Sequence, residues 1–225
     1  MNKLMKILIG LILISIIALG QNENLETIYA IESDSSDYSR VDNLKDLING
    51  ERWGFHSGAI GIPKAESTLK SQGKNDYNIE NIHDLDLTTA WIEGNPHYGI
   101  GESFTIEFNW KEDYEGFGKV YNFYGVIEIF NGYCKSEKHW IENSRIKTLK
   151  MYYNDRPVCL IELVDTWQYQ RLDLRKFFKD SNFFQNGEIV AKDGDKLKFE
   201  VIDVYKGTKY KDTGLSEFVF ESPGN

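Results

Sequence analysis

Between Asn81 and Gly94 the chain reads N-I-H-D-L-D-L-T-T-A-W-I-E-G. Two carboxylates (Asp84, Asp86), two hydroxyls (Thr88, Thr89) and an indole (Trp91) fall within eight residues. Carboxylate and hydroxyl oxygens at this spacing can wrap a hard cation, because calcium collects roughly six to eight oxygen ligands from side chains and carbonyls. An EF-hand loop is excluded. Counted from Asp84, its obligatory sixth-position glycine would be Thr89 and its twelfth-position glutamate would be Asn95. Two readings stay open: a calcium loop of another design, and an Asx-turn network that caps the loop without metal.

A second cluster is N-G-Y-C-K-S, Asn131 to Ser136, followed by Trp140 and by N-S-R at Asn143–Arg145. Asn-Gly marks a tight turn at a strand end. Beyond it Tyr133, Lys135, Trp140 and Arg145 combine aromatic faces with cationic donors, the chemistry that grips a sugar ring and its hydroxyls. The alternative is a packed loop whose long cations lie along its apolar surface. A third segment, D-V-Y-K-G-T-K-Y-K-D-T-G-L-S-E-F from Asp203 to Phe218, brings Asp212 and Glu217 to the end of the chain. Both reach the Asp84 loop if the first and last strands are neighbours.

Other chemistries are excluded by spacing. The four histidines (His56, His83, His97, His139) form no H-x-x-x-H or H-E-x-x-H, and the two cysteines lie far apart, so no zinc site is expected. There is no G-x-S-x-G, P-loop or GxGxxG. Glu93 and Glu102 can be nominated as a glycosidase pair, but only because an acidic chain always offers such pairs.

The elements that must position these groups read as β. Phe104, Ile106 and Phe108 alternate in F-T-I-E-F, and Leu149, Met151 and Tyr153 alternate in T-L-K-M-Y-Y. Tyr124–Phe130, Val158–Leu163, Trp167–Leu172, Leu197–Tyr205 (Leu197, Phe199, Val201 and Asp203 on one face) and Phe218–Phe220 complete the strands. Asn154-Asp155-Arg156-Pro157 is turn chemistry. Helical patterning is confined to Val41–Ile48, Asn78–His83 and Leu174–Phe178. Many short strands separated by turns specify an all-β sandwich or barrel.

Residues 1–20 read as a secretory signal peptide: Lys3 and Lys6, an apolar run from Ile7 to Leu19, then Ala18-Leu19-Gly20. The run is too short to span a bilayer core, and no second apolar segment follows. Residues 21–50 are polar and acidic and read as a linker, and residues 51–222 as the folded domain. Removing residues 1–20, which hold two Lys and no acid, takes the formal charge from −9 to −11. Nucleic acid needs a basic face, so it is excluded as a partner. Export would permit a Cys134–Cys159 disulfide, although Cys159 lies in an apolar strand that suits a buried thiol.

Taken in order, S-T-L-K at Ser67–Lys70, the Asn81–Gly94 segment and G-I-G-E-S-F-T-I-E-F resemble the first half of a discoidin-like, galactose-binding-like β-sandwich. N-G-Y-C-K-S, W-I-E-N-S-R-I-K-T-L-K, I-E-L-V-D-T-W-Q-Y-Q and the Asp203–Phe218 segment resemble the NADase-type glycan-binding domain. That jelly-roll module stands ahead of the catalytic domain in the streptococcal NAD glycohydrolase toxin and is linked there with translocation. The resemblance covers Trp53 to Phe220. It implies an antiparallel jelly-roll sandwich and a structural calcium held by Asp84, Asp86, Thr89, Glu217 and the Asn81 carbonyl. It also implies a glycan surface of Trp91, Glu93, Tyr133, Lys135, Trp140, Arg145 and Asp212. The expected protein is a secreted, monomeric, non-catalytic module for a glycan or glycoprotein. The alternative is a protein-interaction or adhesion module on the same fold. The chain ends five residues after Phe220, where the toxin would continue into its catalytic module. Two residues depart from the pattern. Leu85 replaces the glycine of D-G-D, a penalty if that position needs positive φ, and Cys134 stands where a polar residue is usual.

Overall fold

The computed structural model describes residues 24–32, 63–108, 120–123, 125–178, 184–185 and 188–220. The expected signal peptide, the helix expected at Val41–Ile48 and the segment Trp53–Ile62 lie outside these residues. In chain order the strands are β1 (Glu26–Tyr29), β2 (Ile31–Glu32), β3 (Lys64–Ala65), β4 (Trp91–Ile92), β5 (Ser103–Glu107), β6 (Val120–Phe123) and β7 (Val126–Asn131). They continue with β8 (Ser144–Tyr153), β9 (Arg156–Glu162), β10 (Gln170–Asp173), β11 (Phe184–Gln185), β12 (Glu188–Lys192), β13 (Lys196–Tyr205) and β14 (Thr213–Phe220). A 3₁₀ turn spans Ile79–His83, and two short helices are α1 (Glu137–Glu142) and α2 (Arg175–Phe178).

Two leaves form a jelly-roll β-sandwich. One runs β2–β10–β7–β14; the other runs β9–β8–β13–β5–β3, with β1 beyond β9. Strand β14 joins them. Its start (Thr213, Gly214) lies parallel to β8, and its end (Glu217–Phe220) lies antiparallel to β7. Most ladders are antiparallel, as the resemblance implies; β1–β9 and β14–β8 are parallel. A small separate sheet is β11–β12–β6.

The period-2 pattern is realised where it is strict. Phe104, Ile106 and Phe108 point into the core, as do Leu197, Phe199 and Val201. Phe104 is the hub. Its ring stacks on Phe199 at 5.1 Å and meets Phe218 (5.1 Å) and Trp91 (5.6 Å) edge-on. Each such pair contributes about 0.5–1.5 kcal/mol beyond the area it buries.

Three differences from the sequence pattern have local causes. Residues 26–32, inside the stretch read as a linker, form β1 and β2. Ile28 and Ala30 are 5% exposed and face inward, and Ala30 N–H donates to Glu162 O at 2.9 Å. In β13 a register shift between Val201 and Val204 resets the alternation. Asp203 therefore turns outward to Lys147 (2.6 Å), and Val204 enters the core in its place. Helix α1 had no periodic signature, because six residues are too few for one. Its start was legible only as Ser136, whose Oγ caps the His139 N–H. Both cysteines are free thiols. Burial pushes each up to about 12, so both stay protonated and inert at neutral pH.

Candidate functional site

The three loops singled out in the sequence do converge, and one hydroxyl shows how. Ser216 of β14 donates through Oγ to Thr89 O (3.1 Å) and accepts from the Cys134 N–H (2.9 Å). The carboxylate loop, the N-G-Y-C-K-S turn and the last strand are thereby stitched together. The 3₁₀ turn at Ile79–His83 packs against β14, buried through Ile79 and Ile82.

The carboxylate loop is closed by its own polar groups. Asp86 N–H donates to Asp84 Oδ1 (2.9 Å), and Thr88 donates to Asp86 Oδ1 through its N–H (2.9 Å) and its hydroxyl (2.7 Å). Thr89 Oγ1 reaches Asp84 Oδ2 (2.7 Å) and Asp86 O (2.8 Å). Asn81 supports the loop from behind, donating through Nδ2 to Asp76 O and Ala90 O. Leu85 does sit at positive φ, +62°. The strain has a compensation: its side chain packs, with Leu87 and Cys134, on Phe130 and Tyr169. The loop thus keeps the turn that glycine would have made, and anchors it with an apolar contact.

Behind this loop lies Glu217, 1% exposed, facing Asp84 and the Asp86 backbone without a well-formed hydrogen bond on either carboxylate oxygen. Burial, then the charge of Asp84, hold its carboxyl well above the ordinary range, against the opposing pull of the Asp86 N–H. Burial also raises Asp84, its largest cause, against the hydrogen bond from Thr89. A buried carboxylate so weakly supplied with donors is costly and calls for a proton or a cation. Among the described residues no three Asp, Glu, His or Cys side chains are gathered into a metal-holding array. What the loop offers is one buried carboxylate beside two exposed carboxylates and a hydroxyl, oxygen donors of the kind a hard cation takes.

Four of the seven residues expected on the glycan surface are buried. Trp91 is fully buried, its Nε1 donating to Ser67 O at 3.1 Å, because β4 is clamped against β14 and the Phe104 cluster. Glu93 is fully buried as well. It receives the Thr213 N–H (3.0 Å) on Oε1 and the Asn95 N–H on Oε2, so it clasps two backbones. Tyr133 is 3% exposed, edge-on to Tyr77 and His139. Arg145 is 7% exposed and forms a fork with Asp165 (Nε–Oδ1 2.7 Å, Nη2–Oδ2 3.0 Å). Its Nη1 caps Trp140 O and Asn143 O, and its guanidinium lies 4.2 Å from the Trp140 ring centre. Arg145 holds the end of α1 and is spent on it. Lysine keeps the charge but loses the fork, so Arg145→Lys should cost about 2–3 kcal/mol in urea unfolding. Unchanged stability in that variant would show the fork to be idle.

Three of the expected residues keep access to solvent. Lys135 is exposed, with Nζ on Asn75 Oδ1 at 2.9 Å; Trp140 and Asp212 are half-buried. Trp140 Nε1 is committed to Asn131 O. A family model for the NAD glycohydrolase translocation F5/8 type C domain matches residues 55–221. The chain belongs to this family.

This translocation-type C domain also shares its fold with solved structures from Clostridium perfringens. The structure of the CBM32-1, CBM32-2 and M60 catalytic domains of ZmpB superposes with a TM-score of 0.53 at 16% identity. It covers 91% of this chain and 17% of the other. The structure of the ZmpB CBM32-1 and CBM32-2 domains in complex with GalNAc gives 0.52 at 15% identity, over 91% and 42% of the two chains. The chain thus spans less than half the length of each. At this identity the likeness establishes the discoidin-like sandwich. No curated protein sequence matches the chain.

One surface of the translocation-type C domain was missed by sequence reasoning. Tyr98 is half-buried at φ +64°, and Gly99 follows at +66°. A side chain at Gly99 would meet Glu93 Cγ at 2.5 Å, so glycine is required there. Thr213 Oγ1 pins the turn by donating to Tyr98 O at 2.8 Å. Lys206 and Lys211 place their ammonium groups 5.1 Å and 5.6 Å from the Tyr98 ring centre. In the sequence the sign of this surface is the run K-G-T-K-Y-K at residues 206–211, inside the segment that carries Asp212 and Glu217.

Proposed function

We propose that the chain is a secreted, non-catalytic carbohydrate-binding module whose loop end is braced by calcium. The observation that carries the reading is the loop end itself. Ser216 stitches three loops into one rigid end, and this end still presents Lys135, half-buried Trp140 and Asp212 to solvent. The fold supports it, since a ZmpB pair on the same scaffold is described in complex with GalNAc. Export rests on the pattern of residues 1–20. Calcium would be held by Asp84, Asp86, Thr89, Glu217 and the Asn81 carbonyl, neutralising the carboxylates and fixing the loop. Binding would be shallow and weak, because the large aromatics Trp91 and Tyr133 are used inside.

The test is a glycan array on folded, calcium-loaded protein, followed by titration of the hits. Saccharide binding, weakened several-fold in Lys135→Ala, is the expected result, at the scale of one lost charge-assisted hydrogen bond. An empty array overturns it, as does turnover of NAD or of chromogenic glycosides. A second reading has its own support. Four of the seven expected sugar contacts are buried, and the family description names translocation. A protein-docking module would capture a protein partner equally well with and without competing sugars.

A further inference from the structure

We propose that the Tyr98 turn and the 206–211 loop form a subsite for an anionic saccharide, one bearing a carboxylate or a sulfate. The inference rests on the carbohydrate reading and specifies which ligand that surface prefers. Two ammonium groups approach one tyrosine ring within 6 Å. Among the described residues neither Lys206 nor Lys211 has a carboxylate within 4.0 Å, in a chain of formal charge −9. Their neighbours show that this is not the default. Lys209, in the same loop, pairs with Glu142 at 3.7 Å, and Lys147 pairs with Asp203 at 2.6 Å. Asp203, the acidic residue nearest Lys206 along the chain, is paired with Lys147 instead.

Like charges gathered on one platform repel each other, and an anion bridging them relieves that repulsion. The platform is built. Tyr98 is held by Thr213, its ring packs on the core cluster, and Gly207 lets the loop lie against the backbone of Asn143. Half-buried Asp212, next to Lys211, supplies an acceptor for a sugar hydroxyl. The aromatic edge and this acceptor favour a saccharide over an acidic peptide.

The experiment compares 3′-sialyllactose, 3′-sulfolactose and lactose by calorimetric titration of the full calcium-loaded protein, at low and high salt. Expected are tighter binding of one or both anionic sugars, weakening with salt. In the double variant Lys206→Gln/Lys211→Gln their affinity should fall on the order of ten-fold to the lactose level. Both lysines are exposed, so the variant should keep its urea midpoint; Lys64→Gln/Lys196→Gln, at exposed positions on β3 and β13, serves as a charge-matched control that retains the preference. Preference for the sialylated over the sulfated probe, or the reverse, identifies the anion. Equal affinity for all three sugars, an unaffected double variant, or equal binding of polyglutamate overturns the subsite while leaving the carbohydrate reading intact. Binding of no sugar at all overturns both.

Discussion

Trp91→Ala should unfold much of the domain rather than silence a binding site. The indole is fully buried, meets Phe104 edge-on at 5.6 Å and donates to Ser67 O. Truncating a core tryptophan costs about 3–5 kcal/mol through lost transfer energy and the cavity left behind. The Ser67 carbonyl loses its donor as well. Against a total of about 5–15 kcal/mol for a typical domain, this is a large fraction. Urea unfolding followed by circular dichroism should show a strongly lowered midpoint. Any saccharide binding should fall only in proportion to the unfolded fraction, and Trp91→Phe should recover most of both. A Trp91→Ala protein with wild-type stability and no sugar affinity would return the indole to the ligand surface.

The same residue shows where sequence reading reaches its limit. Long strands announce themselves: five alternating residues placed Phe104, Ile106 and Phe108 correctly, and Asn154-Asp155 turned as its composition requires, both at positive φ. Strand β4 has two residues, too few for any period, so Trp91 looked like a loop aromatic. Glu93 and Arg145 misled for a chemical reason. The groups that grip a sugar are also those that clasp backbones, and the choice is made by distant partners. Thr213 N–H reaches Glu93 across 120 positions, and Asp165 meets Arg145 across a separate turn. Conversely, the convergence of the Asp84, Asn131 and Asp212–Glu217 segments was legible, because polar and glycine-rich stretches between strands must gather at the ends of a sandwich. Tyr98 was not, since its value lies in two lysines more than a hundred residues away.

Calcium should stabilise the domain through Glu217, and the pH dependence should reveal it. In the metal-free protein Glu217 is buried without a well-formed hydrogen bond on either oxygen, and burial, then the Asp84 charge, raise its carboxyl against the pull of the Asp86 N–H. A raised carboxyl binds its proton more tightly folded than unfolded. The stability it contributes is fully present below the ordinary carboxylate value of about 4.3 and is lost as pH rises through the folded value. Asp84, raised by burial, acts in the same direction, and the two titrate as a coupled pair. Metal-free protein should therefore lose stability on going from mildly acidic to neutral pH. Calcium binds the ionised form, so its stabilisation should grow over the same interval. At about 100-fold excess over Kd it amounts to about 2.7 kcal/mol, roughly 5–10 °C in Tm for a domain of this size. Glu217→Gln replaces a buried charge with a neutral isostere. It should flatten the metal-free pH profile, leave the neutral-pH fold at least as stable, and abolish the calcium shift. Asp84→Asn should abolish the calcium shift while leaving Glu217 buried, and so still raised, by desolvation first and by the Asp86 charge. If EDTA and calcium give superimposable melts from pH 5 to 8 in the wild type, Glu217 is a protonated core residue, and the loop is held by Leu85 and its Asx turns without an ion.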